Sequence, residues 1–147
     1  MDGVSNDVEL GSELVTQAAL LVRAVRRRHD LPAGVRVLSL LDELGPLGVS
    51  ALAHADRCAQ PTMSATVRDL VTTGWVAKDA DPTDARASVV TLTAAGTTEL
   101  ARVRRLNGEA VAARLAASTT HSVDDLATAV AVLRDLLDRS DPGGSHL

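Results

Sequence analysis

The sequence predicts a mostly α chain of six helices carrying a two- to three-stranded wing, and three observations lead there. Apolar residues recur at three- and four-residue steps over long stretches at both ends of the chain. Leu, Val and Ala supply nearly all the apolar content, with one Trp and no Phe or Tyr, which favours close-packed helices over an aromatic-rich sheet core. Two short runs of strand formers interrupt the helical pattern near the middle and read as a hairpin. At 147 residues and 46% apolar content, the chain is long enough for one domain with helical extensions and too apolar for wholesale disorder.

Val8, Leu10, Leu14, Val15, Ala18, Leu21, Val22 and Val25 lie along one stripe of a first helix from about Asp7 to His29. It ends in Arg23, Arg26, Arg27 and Arg28, read as a solvated helix end matched to the helix dipole, before Leu31-Pro32 and Gly34 break the pattern. Val35, Val37, Leu38, Leu40, Leu41 and Leu44 make a second helix, apolar on most sides and closed by Gly45-Pro46. A third begins near Val49, with Gly48 or Ser50 as its N-cap, and carries Leu52, Ala53 and Cys58. Gln60-Pro61 opens a fourth, since proline suits a first helical turn where its missing N–H would be unpaired anyway.

On that fourth helix Met63, Val67, Leu70 and Val71 fall on one face, leaving Gln60, Pro61, Ser64, Ala65 and Arg68 on the other. The outer face is small and polar rather than charged, as suits a surface that must approach something closely. Thr73-Gly74 ends the helix. Trp75–Lys78 and Ser88–Leu92 are the strand-forming runs, joined by the turn-rich segment Asp79–Arg86. Thr93 caps a fifth helix whose Leu100, Val103, Leu106, Val111 and Leu115 continue an apolar face through about Ala117. After Ser118-Thr119-Thr120, Val123, Leu126, Val130, Leu133, Leu136 and Leu137 line one side of the last helix, and Asp141-Pro142-Gly143-Gly144 reads as a frayed tail.

Two short helices, a hairpin and the start of a longer helix between Val49 and Gly96 read as a winged helix-turn-helix. Its residues Leu52-Ala53, Pro61-Thr62-Met63-Ser64, Val67, Leu70, Gly74-Trp75-Val76, Asp81-Pro82-Thr83-Asp84-Ala85-Arg86 and Leu92-Thr93-Ala94-Ala95-Gly96 resemble the MarR family of bacterial transcriptional regulators, in order and at the family's spacing. The resemblance covers roughly Val35 to Leu106 with specific motifs. It implies a cytoplasmic homodimer that binds double-stranded DNA, acting as a repressor on a pseudo-palindromic operator and released by a small lipophilic effector. It divides the chain into an N-terminal dimerisation helix (1–33), a winged helix-turn-helix (34–93) and C-terminal dimerisation helices (94–147).

By the same resemblance the DNA-binding residues are Gln60, Pro61, Thr62, Ser64, Ala65 and Arg68 in the major groove, and Arg86 at the wing tip in the minor groove. Asp84 would orient Arg86 by a charge-assisted bond. The dimer interface would use Leu10, Leu14 and Leu21 with Val123, Leu126, Val130, Leu133 and Leu137, whose stripes a lone chain would leave partly exposed. The chain departs from the family's usual pattern at Ala65, where a basic residue is common, at Ala59, where a capping side chain is common, and at Asp56, where an apolar one is.

Charge and chemistry narrow the alternatives. The net charge is −4, and residues 34–93 hold five basic against seven acidic side chains, so a strongly basic nonspecific nucleic-acid binder is excluded and weak nonspecific DNA affinity is expected. A single aromatic argues against base stacking on single strands. No Gly-rich phosphate loop, H-E-x-x-H or G-x-S-x-G is present, so no enzyme chemistry and no cofactor are expected. His29, His54, His121 and His146 are scattered and read as solvated or satisfied residues rather than metal ligands. Cys58 alone permits no internal disulfide and reads as a small buried apolar residue. The first ten residues lack a basic n-region and an apolar h-region, and no apolar run is long enough to span a membrane. The competing reading is a helical dimer of the same fold that binds a ligand or a protein partner and has little affinity for DNA.

Overall fold

In the computed structural model, which describes residues 3–29 and 34–138, the first helix α1 runs Gly3–His29 and starts ahead of the expected Asp7. The break at Leu31-Pro32, the tail at Asp141–Gly144 and His146 lie outside the described residues. The chain divides into two compact units, Met1–Gly108 and Glu109–Leu147.

In the first unit the helix-turn-helix is built from three short helices. Helix α2 (Val35–Leu44) buries Val37, Leu38 and Leu41. It stops at Gly45, whose φ of 81° lets its N–H return to the Leu41 carbonyl at 3.0 Å. Helix α3 (Val49–Asp56) takes Gly48 as N-cap and buries Val49, Leu52 and Ala53. It ends two residues sooner than the sequence suggested: Arg57 adopts a left-handed conformation (φ 53°), so Cys58 leaves the helix and lies in the turn, half-buried against the core. A non-glycine residue in that conformation costs about 1–2 kcal/mol, and two bonds offset it here, from Arg57 N–H to the His54 carbonyl at 3.2 Å and from Cys58 N–H to the Ala53 carbonyl at 3.0 Å.

Helix α4 (Gln60–Thr73) buries Met63, Val67 and Leu70, and Gly74 (φ 86°) closes it. Val71, expected on the same buried face, is instead exposed, because the three buried positions already fill the stripe against the core. Strands β1 (Val76–Asp81) and β2 (Asp84–Leu92) pair antiparallel from Val76↔Leu92 to Ala80↔Ser88. The strands reach further than their strand-forming cores, and Trp75 stands just outside. Asp79 and Ala80 are poor strand formers, but pairing with Val89 and Ser88 carries them into the ladder. A third strand is reduced to one bridge, in which Leu47 and Val90 exchange both backbone bonds at 3.2 and 2.8 Å.

Helix α5 (Ala94–Ala116) begins at the foot of this hairpin and buries Leu100 and Val103. Thr93 joins the two: its hydroxyl accepts the Gly96 N–H at 3.1 Å and donates to the Gly74 carbonyl at 2.6 Å, while its N–H donates to the Trp75 carbonyl at 3.1 Å. The core between these elements is made of Leu, Val and Met: Leu38, Leu52, Met63, Val67 and Val90 are all but inaccessible. Each such side chain contributes about 1.5–3 kcal/mol by leaving water.

In the second unit α6 (Val123–Asp138) follows the end of α5 and has no buried residue. Its start is a reciprocal cap: Ser122 N–H donates to Asp125 Oδ2 at 2.8 Å, and Asp125 N–H donates to Ser122 Oγ at 3.4 Å. The bond from the Ser122 backbone, with His121 nearby, holds the Asp125 carboxyl below its ordinary value of 3.8. A depressed carboxylate stabilises the folded form fully above its unfolded pKa and stops doing so as pH falls through its folded one. Exchange protection of the Ser122 amide is therefore expected to fall as pH drops below the ordinary carboxylate range, and Asp125→Ala should remove that pH dependence in an NMR titration.

Candidate nucleic-acid interface

The outer face of α4 collects the residues the sequence singled out. Gln60, Pro61, Thr62, Ala65 and Arg68 are exposed and Ser64 is half-buried. Ala59 precedes the helix with extended backbone and no side chain to cap it, so the N–H groups of Gln60 and Thr62 have no protein acceptor among the described residues. Pro61 removes the donor between them. Helix N-termini of this kind favour anionic oxygens, because their partial positive charge and free N–H groups point the same way.

Several hydroxyls on this helix are already committed. Thr66, Thr72 and Thr73 donate back to the carbonyls of Thr62, Arg68 and Asp69 at 3.1, 3.0 and 2.9 Å. The hydroxyls of Thr62 and Ser64 make no such bond among the described residues.

Beside this face, Ser64, Val67, Arg68, Val71 and Lys78 line a cleft of about 330 Å³ between α4 and β1. It puts two cations, Arg68 and Lys78, on one opening. The sequence reading missed Lys78, and strand alternation was the signal available: Val76 is buried, so Lys78, two residues on, takes the same side further along the ladder, where it becomes exposed.

On the wing, the ladder passes from Ala80↔Ser88 directly to Asp81↔Asp84, leaving Ala85, Arg86 and Ala87 without partners on β1. Arg86 therefore sits on a bulge, a device that re-aims a side chain away from regular pleating. Asp84 holds that bulge in a way the sequence reading did not foresee. Its Oδ1 accepts the Arg86 backbone N–H at 3.0 Å, and no ion pair joins the two side chains. The carboxylate shapes the backbone under Arg86 and leaves the guanidinium free, because a residue two positions on presents its N–H more readily than its side chain.

Asp81 does equivalent work at the tip. Its Oδ1 accepts both the N–H and the hydroxyl of Thr83 at 2.8 Å, and the backbone bond in particular holds its carboxyl below the usual value.

The remaining charges sort into used and free. Arg36 is paired with Asp56, which ties α2 to α3 and accounts for an acid at a position where an apolar residue was expected. Asp42 is paired with Arg104 at 2.8 Å. Among the described residues no ion pair engages Arg57, Arg68, Lys78 or Arg86, so four of the five module cations remain available for an external anion.

The residues assigned to a dimer interface are also unsatisfied within one chain. Leu126 is half-buried, while Leu10, Leu14, Leu21, Val130 and Leu133 are exposed and Val123 and Leu137 are 73% and 82% exposed. Of the large apolar side chains exposed among the described residues, all but Leu44 and Val71 belong to α1 and α6. Within the described residues no helix is long and apolar enough to cross a membrane.

Residues 32–88 match the MarR family. An HTH-type transcriptional regulator of Mycobacterium leprae is 28% identical, the match covering 93% of this chain and 99% of that one. One of Mycobacterium tuberculosis is 29% identical over the same shares. Among solved structures, a transcriptional regulator protein of Pseudomonas aeruginosa superposes with a TM-score of 0.69 at 26% identity, covering 92% of this chain and 98% of its own. The fold of wild-type MarR from Escherichia coli matches with a TM-score of 0.65 at 21% identity, covering 88% and 94%.

Proposed function

We propose that this chain, which belongs to the MarR family of transcriptional regulators and carries its DNA-binding winged helix-turn-helix, is a homodimeric repressor that reads a pseudo-palindromic operator. The outer face of α4 enters the major groove, and Arg86 on the wing bulge enters the adjacent minor groove. A second copy covers the apolar faces of α1 and α6, and two-fold symmetry then sets two half-sites about one helical turn apart.

The observation that carries this reading is the division of labour on the exposed surface. Among the described residues the hydroxyls of Thr62 and Ser64, the amide of Gln60 and the guanidinium groups of Arg68 and Arg86 have no partner, while Asp42, Asp56, Asp81 and Asp84 are tied up in turns and ion pairs. Four free cations in each winged helix-turn-helix, counted among the described residues, neutralise few phosphates, so affinity for random duplex is low and the salt dependence shallow. Specific binding then rests on contacts to base edges.

The test is fluorescence anisotropy with duplex from the protein's own promoter region, at two salt concentrations, comparing wild type with Arg86→Ala. The variant is expected to lose about ten-fold or more in affinity with its dimer intact, as removal of one groove arginine does. Equal binding by both proteins would remove Arg86 from the interface. Wild-type binding no tighter than to random duplex would favour the ligand- or protein-binding dimer instead.

A further inference from the structure

We infer that the first two turns of α4 read A·T base pairs, so that the major-groove core of each half-site is A·T and not G·C. This inference rests on the winged-helix reading above and adds the chemistry of the partner.

The argument begins from what is absent. Guanine is read most often by an arginine or lysine reaching O6 and N7 together. No basic residue stands between Cys58 and Val67, so the first two turns offer no such donor. Arg68 comes a turn later, where with Ser64 and Lys78 it lines the cleft against β1, and two converging cations suit a backbone phosphate better than a base edge.

What is present points to adenine and thymine. Gln60 is exposed in the first turn, and its side-chain amide makes no hydrogen bond among the described residues. A glutamine amide pairs bidentately with adenine, accepting from N6 and donating to N7. Ala65 is exposed one turn on and presents a bare methyl. The Thr66 hydroxyl is committed to the Thr62 carbonyl at 3.1 Å, which leaves its methyl as the group it can offer. Apolar contacts of this kind recognise the thymine C5 methyl, which cytosine lacks.

The test is selection from a randomised duplex pool by the full-length protein, followed by sequencing, in parallel for wild type, Gln60→Ala and Ala65→Arg. Circular dichroism confirms that each variant is folded. The expected wild-type result is a two-fold symmetric consensus with A·T pairs at the positions faced by the first two turns. Gln60→Ala should relax one adenine position by about ten-fold or more, the discrimination of one bidentate contact. Ala65→Arg should move a neighbouring preference from thymine to guanine. A symmetric consensus with G·C at those positions, unchanged in Gln60→Ala, overturns this inference and leaves the DNA-binding reading standing. No enrichment from the pool overturns the DNA-binding reading, and the inference with it.

Discussion

Leu133→Asp is expected to sediment as a monomer that retains its helical circular dichroism. Leu133 lies on α6, a helix with no buried residue within its own chain, and it is itself 39% exposed, with Val130 at 40% and Leu137 at 82% on the same side. Because no residue of that helix is buried among the described residues, an aspartate there should cost little in folding. In a dimer the same aspartate would be an unpaired charge taken out of water, which costs about 3–5 kcal/mol. Two-fold symmetry places it in the interface twice. Thr128→Asp, nearly across the helix, adds the same charge and should leave the dimer whole. A Leu133→Asp protein that sediments like wild type would take α6 out of the interface.

DNA binding should fail with the dimer. A lone winged helix reaches one half-site, and losing the linked second contact commonly costs 10²–10⁴ in apparent affinity. Leu133→Asp should therefore bind a full operator about as weakly as an isolated half-site, although it alters no residue near DNA. That outcome separates the two halves of the proposed function, since Arg86→Ala impairs binding with the dimer intact.

The order and type of all six helices were legible in the sequence because periodicity and breakers agree there: Gly45 and Gly74 end helices where they should, and Thr93 caps the next. Cys58 was misplaced because the break after Asp56 depends on Arg57 taking a left-handed backbone, which no proline or glycine announces. Val71 fits the apolar spacing of α4 as well as Leu70 does, so only the width of the core could separate them. The reach of the hairpin was hidden for the opposite reason, since Asp79 and Ala80 lack strand propensity and are recruited by their partners.

The candidate site was legible as a list of residues on one helix face and less so as a mechanism. Spacing put Asp84 near Arg86 without revealing that the backbone, not the guanidinium, receives the bond. Lys78 entered the site only through the approach of β1 to α4, a tertiary relation that neither segment encodes alone. Asp56 departs from the pattern expected of the family, and what occupies it there became legible only through its partner Arg36 on α2.

Gly96→Ala tests the joint that holds the wing to the long helix, and its effect on folding should be large for one methyl group. The backbone of α5 approaches the end of α4 so closely that a Cβ at Gly96 would overlap the carbonyl oxygen of Trp75. The Trp75 carbonyl carbon at 2.9 Å and Leu92 Cδ2 at 3.2 Å close the remaining space. Side chains can rotate away from an intruder, but this one meets backbone that is already fixed. Trp75 accepts the Thr93 N–H, and its own N–H donates to the Leu70 carbonyl at 3.0 Å. Relief would have to come from lifting α5, which would stretch the 2.6 Å bond from Thr93 to Gly74. Overpacking of this kind costs about 1–3 kcal/mol, roughly 3 °C of Tm for each kcal/mol in a chain of this size. Gly108→Ala is the matched control. It lies on the same helix with nothing within 4 Å of its added Cβ, and it should raise Tm, because alanine is better than glycine in a helix by about 0.5–1 kcal/mol. Thermal unfolding of the two variants should thus move in opposite directions. If both rose together, the close approach of α5 to Trp75 would be wrong, and the Thr93 cap would have to hold the wing by itself.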